Sequence, residues 1–115
     1  MVRTIEEDEK VFAVGSKILF YDNPKLINHA GGVITLIGSG IDVGFGEPDT
    51  AAYSKKRYVG CVCGASMLVH KKVFQELGGF DEEYFAYFED TDICWRAWLQ
   101  GYKCIYVPSS VVYHK

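Results

Sequence analysis

The chain has 115 residues, with 12 Lys plus Arg against 15 Asp plus Glu and 49% hydrophobic residues. That length bounds it to one domain of ordinary size, and that balance excludes disorder along the whole chain. The net charge of −3 also excludes a basic nucleic-acid binder, which needs a positive field to follow phosphates.

At the start, Met1-Val2-Arg3-Thr4 leads into the acidic Glu6-Glu7-Asp8-Glu9, and no secretory pattern is expected there. Residues 11–21 are rich in β-branched and aromatic side chains and stop at Asp22-Asn23-Pro24, which predicts a strand closed by a turn. Residues 28–47 are glycine-rich, with short apolar pieces such as Val33-Ile34-Thr35-Leu36-Ile37, and read as loop or short strands. Inside them, Gly38 to Gly44 misses the Gly-x-Gly-x-x-Gly phosphate fingerprint, because Val43 stands where the third glycine belongs. A surface loop is predicted there instead. Lys55-Lys56-Arg57 reads as a solvated loop. Residues 58–70 read as one buried strand, with Gly60 and Gly64 marking close backbone approach. The same stretch holds the longest apolar run, well short of the roughly 18 residues a membrane helix requires.

The second half is more sharply patterned. Residues 71–77 predict a short helix with Val73, Phe74 and Leu77 on one side, stopped by Gly78-Gly79. The loop 80–88 follows, and a second helix is predicted over about 91–100. Its apolar stripe is Ile93, Cys94, Ala97 and Trp98, and Gly101 stops it. Residues 103–107 predict a strand ending at Pro108, and 111–114 a short extended tail. This order of elements predicts an α/β layering around a short mixed sheet. Cys61, Cys63, Cys94 and Cys104 match neither a disulfide framework nor a Cys-x-x-Cys motif. They are expected as reduced thiols, packed as small hydrophobes in a reducing, cytoplasmic interior.

Chemistry is expected around the acidic loop. Residues 81–92 hold six acids and no Lys or Arg, and nine of the 17 aromatic residues lie within 80–106. A solvated acidic face would not carry so many rings, whereas rings beside carboxylates are a common sugar-binding surface. Glu89-Asp90 stand at a helix start, where the positive end of the helix dipole favours negative charge. A carboxylate there can take a proton from a hydroxyl as it attacks an electrophile. Asp at that position also suits a plain helix cap that bonds N–H groups two or three residues on, and the sequence leaves both readings open. Asp90-Thr91-Asp92 spells Asp-x-Asp, but successive helical side chains diverge, so no metal site is read there. An EF-hand pattern is absent. His114 suits either a metal ligand or an exposed tail residue.

Gly64-Ala65-Ser66-Met67-Leu68-Val69, then Gly78-Gly79-Phe80-Asp81-Glu82, then Glu89-Asp90-Thr91-Asp92 with Arg96, then Gly101-Tyr102, Tyr106-Val107-Pro108 and His114 occur in that order. This set closely resembles the C-terminal half of the family 2 glycosyltransferases, which have the GT-A (nucleotide-diphospho-sugar transferase) fold. The resemblance is strongest from residue 58 onward and weaker over 28–46. It implies that residues 1–115 are a single partial catalytic domain, the C-terminal part of a GT-A fold lacking the N-terminal nucleotide-binding half. It also implies inverting transfer of a sugar from a nucleotide-diphosphate donor to a hydroxyl of a glycan or lipid-linked acceptor. Asp90 matches the family's catalytic base, and Glu89 beside it would help orient the acceptor. Gly64 and Ala65 match a segment lining the cleft, and Asp81 and Tyr87 are candidate substrate-binding positions in the acidic loop. His114 matches a histidine that in some GT-A enzymes contacts the metal or the diphosphate. His70-Lys71 stand where the family often has two arginines.

A divalent metal, Mn or Mg, is implied for the complete enzyme, held by an Asp-x-Asp that the family places upstream of the region seen here. The chain alone is therefore expected to be inactive, and its implied partners include the N-terminal half of the same polypeptide. Exposed sheet edges would leave a homodimer open. The implied location is the cytoplasm, or the inner face of a membrane as a peripheral protein. The alternative is a non-catalytic carbohydrate-binding or interaction module using loop 80–92. A small metal protein using the cysteines or Asp90 and Asp92 ranks last.

Overall fold

Strand β1 (Val11–Phe20) is buried on both faces through nine of its ten residues, which follows from a sequence that is nearly continuously apolar rather than alternating. The computed structural model describes residues 5–6, 9–34, 40–79 and 89–114. Beside β1 runs β2 (Ile27–His29). The pair β3 (Gly32–Ile34) and β4 (Gly40–Asp42) forms a separate antiparallel ribbon, with Gly32 opposite Asp42. After them come β5 (Arg57–Val59), β6 (Met67–Val69), helix α1 (Lys71–Glu76), helix α2 (Glu89–Leu99) and β7 (Lys103–His114). The main sheet has the order β2-β1-β7-β5, and β6 shares with β2 the edge of β1 that β7 leaves free. The central pair β1–β7 is parallel, from Val11 opposite Lys103 to Phe20 opposite His114. Parallel neighbours need a crossover connection, and here everything between the two strands serves as one. The result is an α/β fold with a short mixed sheet, as the sequence pattern predicts.

Three expectations are corrected. The single strand expected over 58–70 is two strands with different partners: β5 pairs with β7, whereas β6 pairs with β1. A 3-10 turn at Gly64–Ser66 separates them. The break begins at Gly60, whose N–H bonds the Gly32 carbonyl, and where an added Cβ would lie 2.9 Å from the Ile34 nitrogen. Second, β7 does not end at Pro108. Its register jumps from Val107 opposite Ser16 to Val111 opposite Lys17, so residues 108–110 bulge out and the proline is spared a ladder donor. The expected strand and tail are one element. Third, the loop expected over 38–44 is strand over Gly40–Asp42 and turn at 43–44; residues 35–39 lie outside the described residues.

Helix α2 covers one face of the sheet with Ile93, Cys94 and Ala97, packed among Phe12, Ala13, Val59, Val62, Cys104 and Tyr106. A second cluster forms around Val11, Val14, Ile105 and Val107, joined by Ile5. Gly15 lets β1 approach the segment after β5, since an added Cβ there would lie 2.5 Å from the Val62 Cβ. Among the described residues no helix is long and apolar enough to cross a membrane.

Candidate active site

Asp90 is the second residue of α2, and its half-buried carboxylate reaches out of the helix. Oδ2 accepts the Gly64 N–H at 2.8 Å, and Oδ1 accepts the Thr91 N–H at 2.8 Å. This is not the ordinary cap over N–H groups two or three residues on. The carboxylate instead joins the first turn of α2 to the turn before β6. A carboxylate offers about four acceptor positions, so among the described residues each oxygen keeps one free. Gly64 and Ala65 are exposed beside it, and a Cβ added at Gly64 would sit 3.5 Å from Oδ2, an ordinary contact.

Both partners are fixed from behind. The turn at Gly64–Ser66 is held by the Ser66 hydroxyl, which meets the Ser16 hydroxyl of β1 at 2.7 Å; Ser16 also meets Ser110 of the β7 bulge at 2.7 Å. The start of α2 is held by Ile93 and Cys94, which are fully buried in the main core.

Arg96 does the corresponding work on the opposite flank of α2. Its Nη1 donates to the Leu77 carbonyl at 2.5 Å, its Nη2 to the Gly79 carbonyl at 2.6 Å, and its Nε to Asp92 Oδ2 at 3.0 Å. The Gly-Gly end of α1 is thereby tied to α2, and Asp92 is directed to Arg96 while Asp90 is directed to Gly64. Candidates Asp81 and Tyr87, in loop 80–88, lie outside the described residues. Glu89 is described as the first residue of α2, next to Asp90 in the chain.

The stripe expected on α2 is also corrected. Ile93, Cys94 and Ala97 are fully buried, but Trp98 is 38% exposed. With Thr91 and Trp95 it makes an i, i+4, i+7 line along a neighbouring flank. Trp95 and Trp98 form one side of a groove of about 620 Å³ whose other lining includes Val33, Ile34, Tyr58 and Val59. Arg57 borders the same groove and is not the solvated residue expected from its charge run. Its guanidinium donates to the Ala30 carbonyl at 2.7 Å and lies 5.2 Å from the centre of the Tyr106 ring.

The four cysteines are free thiols, three buried and Cys63 half-buried. Burial pushes the Cys61 thiol up to about 12. Cys104 is raised by its hydrogen bond with Cys94 and by burial, and Cys63 is raised by burial.

His114 lies exposed at the end of β7, opposite Phe20. Phe20 is four strand residues, or about 13 Å, beyond Ser16, and the structure does not bring His114 to Asp90. Among the described residues no group of three or more His, Cys, Asp or Glu side chains could hold a metal ion. Three buried polar residues escaped the sequence reading, Ser16 among them. Lys17, within β1, is paired with Asp49 at 2.8 Å; a lysine in an otherwise apolar central strand was the available signal. His29 is 3% exposed, with Nδ1 at 2.8 Å from Asp42 Oδ1 and, among the described residues, no hydrogen-bond partner for Nε2. Nothing in the local pattern marks it.

The family model described as Glycosyl transferase family group 2 matches residues 25–115. The chain belongs to this family. It is 41% identical over 74 residues to the N-acetylglucosaminyl-diphospho-decaprenol L-rhamnosyltransferase of Mycobacterium tuberculosis, covering 59% of this chain and 24% of that protein. It is 39% identical over 67 residues to the rhamnosyltransferase WbbL of Escherichia coli K12, covering 58% of this chain and 25% of that protein. The chain thus spans about a quarter of the length of these curated relatives. Gly64, Asp90, Arg96 and His114 all fall inside the matched region of this glycosyltransferase family chain, while β1 precedes it.

Proposed function

We propose that this chain carries the acceptor side and the general base of a glycosyltransferase that moves a sugar, with inversion, from a nucleotide-diphosphate sugar to a hydroxyl of a lipid-linked acceptor. The observation that carries the reading is the double anchoring of Asp90 by the Gly64 and Thr91 N–H groups. A base must be held within hydrogen-bond reach of the proton it removes. Two backbone donors fix this carboxylate, and with respect to the described residues each of its oxygens keeps an acceptor position for the incoming hydroxyl. As the acceptor oxygen bonds to the anomeric carbon, its proton passes to Asp90 and the bond to the nucleoside diphosphate breaks on the opposite face. One displacement of this kind inverts the anomeric centre. Glu89, Asp81 and Tyr87 are proposed to orient the acceptor, and Gly64 and Ala65 to give it room to approach.

The relative from Mycobacterium tuberculosis bears in its name an acceptor on diphospho-decaprenol, which supports a lipid-linked acceptor here and action at a membrane surface. The donor-binding half of the catalytic domain is proposed to lie outside these 115 residues. The family's divalent metal would neutralise the leaving diphosphate. The described residues by themselves do not form its site, so no step here runs through it; His114 is proposed as the one ligand this chain would lend.

The test is Asp90→Asn in the full-length enzyme, assayed for transfer from a nucleotide sugar. Loss of a general base costs about 10²–10⁴-fold, with the circular dichroism spectrum of the parent and a melting temperature lowered only by the loss of one of the two N–H contacts. Turnover near the parent level would sink the assignment.

A further inference from the structure

We infer that the groove between α2 and the β3–β5 surface seats the isoprenoid chain of the acceptor. The inference rests on the lipid-linked acceptor proposed above and assigns the part of it that no reacting atom touches. The groove and the base share one helix. At 1.5 Å per residue, Trp95 and Trp98 stand about 7.5 Å and about 12 Å along the axis from Asp90. A hydroxyl at Asp90 can therefore belong to a molecule whose other end continues along the helix flank.

The lining selects the class of ligand. A saccharide is held by a ring of hydrogen-bonding side chains, because its buried hydroxyls must be satisfied. Among the described side chains of the groove only Arg57 carries a charge, and one of its N–H groups is held by the Ala30 carbonyl with the Tyr106 ring beside the guanidinium. The remainder is Trp, Tyr and aliphatic. Val33 and Tyr58 are 52% and 55% exposed, and Ile41, directly across the ribbon from Val33, is 55% exposed. A contiguous apolar surface of this kind marks a binding site. Its concave form, of about 620 Å³, suits a chain laid between the two tryptophans and the ribbon rather than a flat bilayer.

The chain has two tryptophans, and both line the groove, so the intrinsic emission of the 115-residue chain reports on it alone. Titration with farnesyl diphosphate is expected to give a saturable blue shift, and inorganic diphosphate none. Val33→Asp, at an exposed strand position that keeps both reporters, should weaken the farnesyl diphosphate response at least tenfold. Glu9→Gln, at an exposed turn position before β1, should leave it unchanged. The inference is overturned by no shift, by a shift indifferent to Val33→Asp, or by an equal shift with diphosphate alone. It is also overturned if phosphatidylglycerol vesicles reproduce the shift, which would assign the surface to a bilayer. Failure of the catalytic reading is separate: Asp90→Asn that still transfers sugar, with farnesyl binding intact, removes the base and leaves the groove.

Discussion

Gly64 and Asp90, 26 residues apart in sequence, are joined by a 2.8 Å hydrogen bond from backbone N–H to Oδ2. The bond can be removed from the Gly64 side with the backbone dihedrals kept. Gly64 opens a 3-10 turn and follows Cys63 in extended conformation, φ −82° and ψ 132°, the setting in which proline is well tolerated. Gly64→Pro therefore deletes the donor and sets the ring Cδ where the N–H met Oδ2, so the Asp90 carboxylate must also turn away. A hydrogen bond to a charged group contributes about 1.5–3 kcal/mol, offset by about 0.4–1 kcal/mol from the stiffer unfolded chain. A net loss near 1 kcal/mol is expected in urea melts, with a clear fall in kcat because Asp90 loses its aim. Gly64→Ala keeps the donor and adds a methyl 3.5 Å from Oδ2, so it should raise KM and spare kcat. Equal effects from the two variants would show that bulk, not the bond, matters at this position.

The three donations of Arg96 to Leu77, Gly79 and Asp92 predict a large stability effect from one residue. Arg96→Leu strands two carbonyls and a carboxylate whose side chain is only 16% exposed. Breaking such a partly buried network costs about 2–4 kcal/mol. Arg96→Lys keeps the charge but lacks the planar fork, and should recover less than half of the loss. The check is the urea midpoint at constant m-value. A cost under about 0.5 kcal/mol, the range of ordinary surface changes, would mean that the clamp is not holding α1 to α2.

Gly15 and Val62 give a third test. A methyl on Gly15 would meet the Val62 Cβ at 2.5 Å and Cγ1 at 2.6 Å. Gly15 is paired on both sides, to Met67 and to Tyr106, so the strand cannot step back. Gly15→Ala should destabilise by about 1–3 kcal/mol, the usual cost of overpacking. Val62→Ala frees the Cγ1 contact but not the Cβ approach. The double variant should therefore cost less than the sum of the singles without reaching the parent. Simple additivity would refute the steric reading.

Much of this arrangement was legible in the residues. β1 could be read because a strand buried on both faces is a continuous apolar run, and α1 and α2 because Gly78-Gly79 and Gly101 punctuate them. The proposed base could be read from Glu89-Asp90 only with the family motifs beside it, since a capping aspartate has the same local spacing. What could not be read depended on partners distant in sequence. Whether residues 58–70 form one strand or two is decided by β7 and β1 competing for them, and Pro108 looks like a terminus until the bulge opposite Ser16 accommodates it. Trp98 fits an apolar stripe by period alone, and only the β3–β5 surface turns it into a groove wall. His29 is inward-facing through its pairing with Ile18, which no local pattern encodes.

The thiols predict how stability responds to alkaline pH. Burial holds Cys61 well above its ordinary 9.0, at about 12, because the thiolate is poorly solvated there. Cys104 is raised too, by the Cys94 hydrogen bond first and then by burial. In the unfolded chain these thiols lose their protons near the ordinary value, while the folded chain keeps them. Between about pH 9 and about pH 12 the folded state therefore binds more protons, and linkage makes stability fall as pH rises. The slope approaches about 1.4 kcal/mol per pH unit for each such group, and the contribution is fully present below pH 9. Tyr106, raised by burial from 10.0 to about 12 against the opposing Arg57, adds its share one unit later. Urea midpoints across pH 8–11 should thus be flat at first and then fall. Cys61→Ala should be less stable at pH 8, where its packing is lost, yet show a shallower decline above pH 9. A decline as steep as the parent's would mean that Cys61 ionises in the folded state as readily as in the unfolded one.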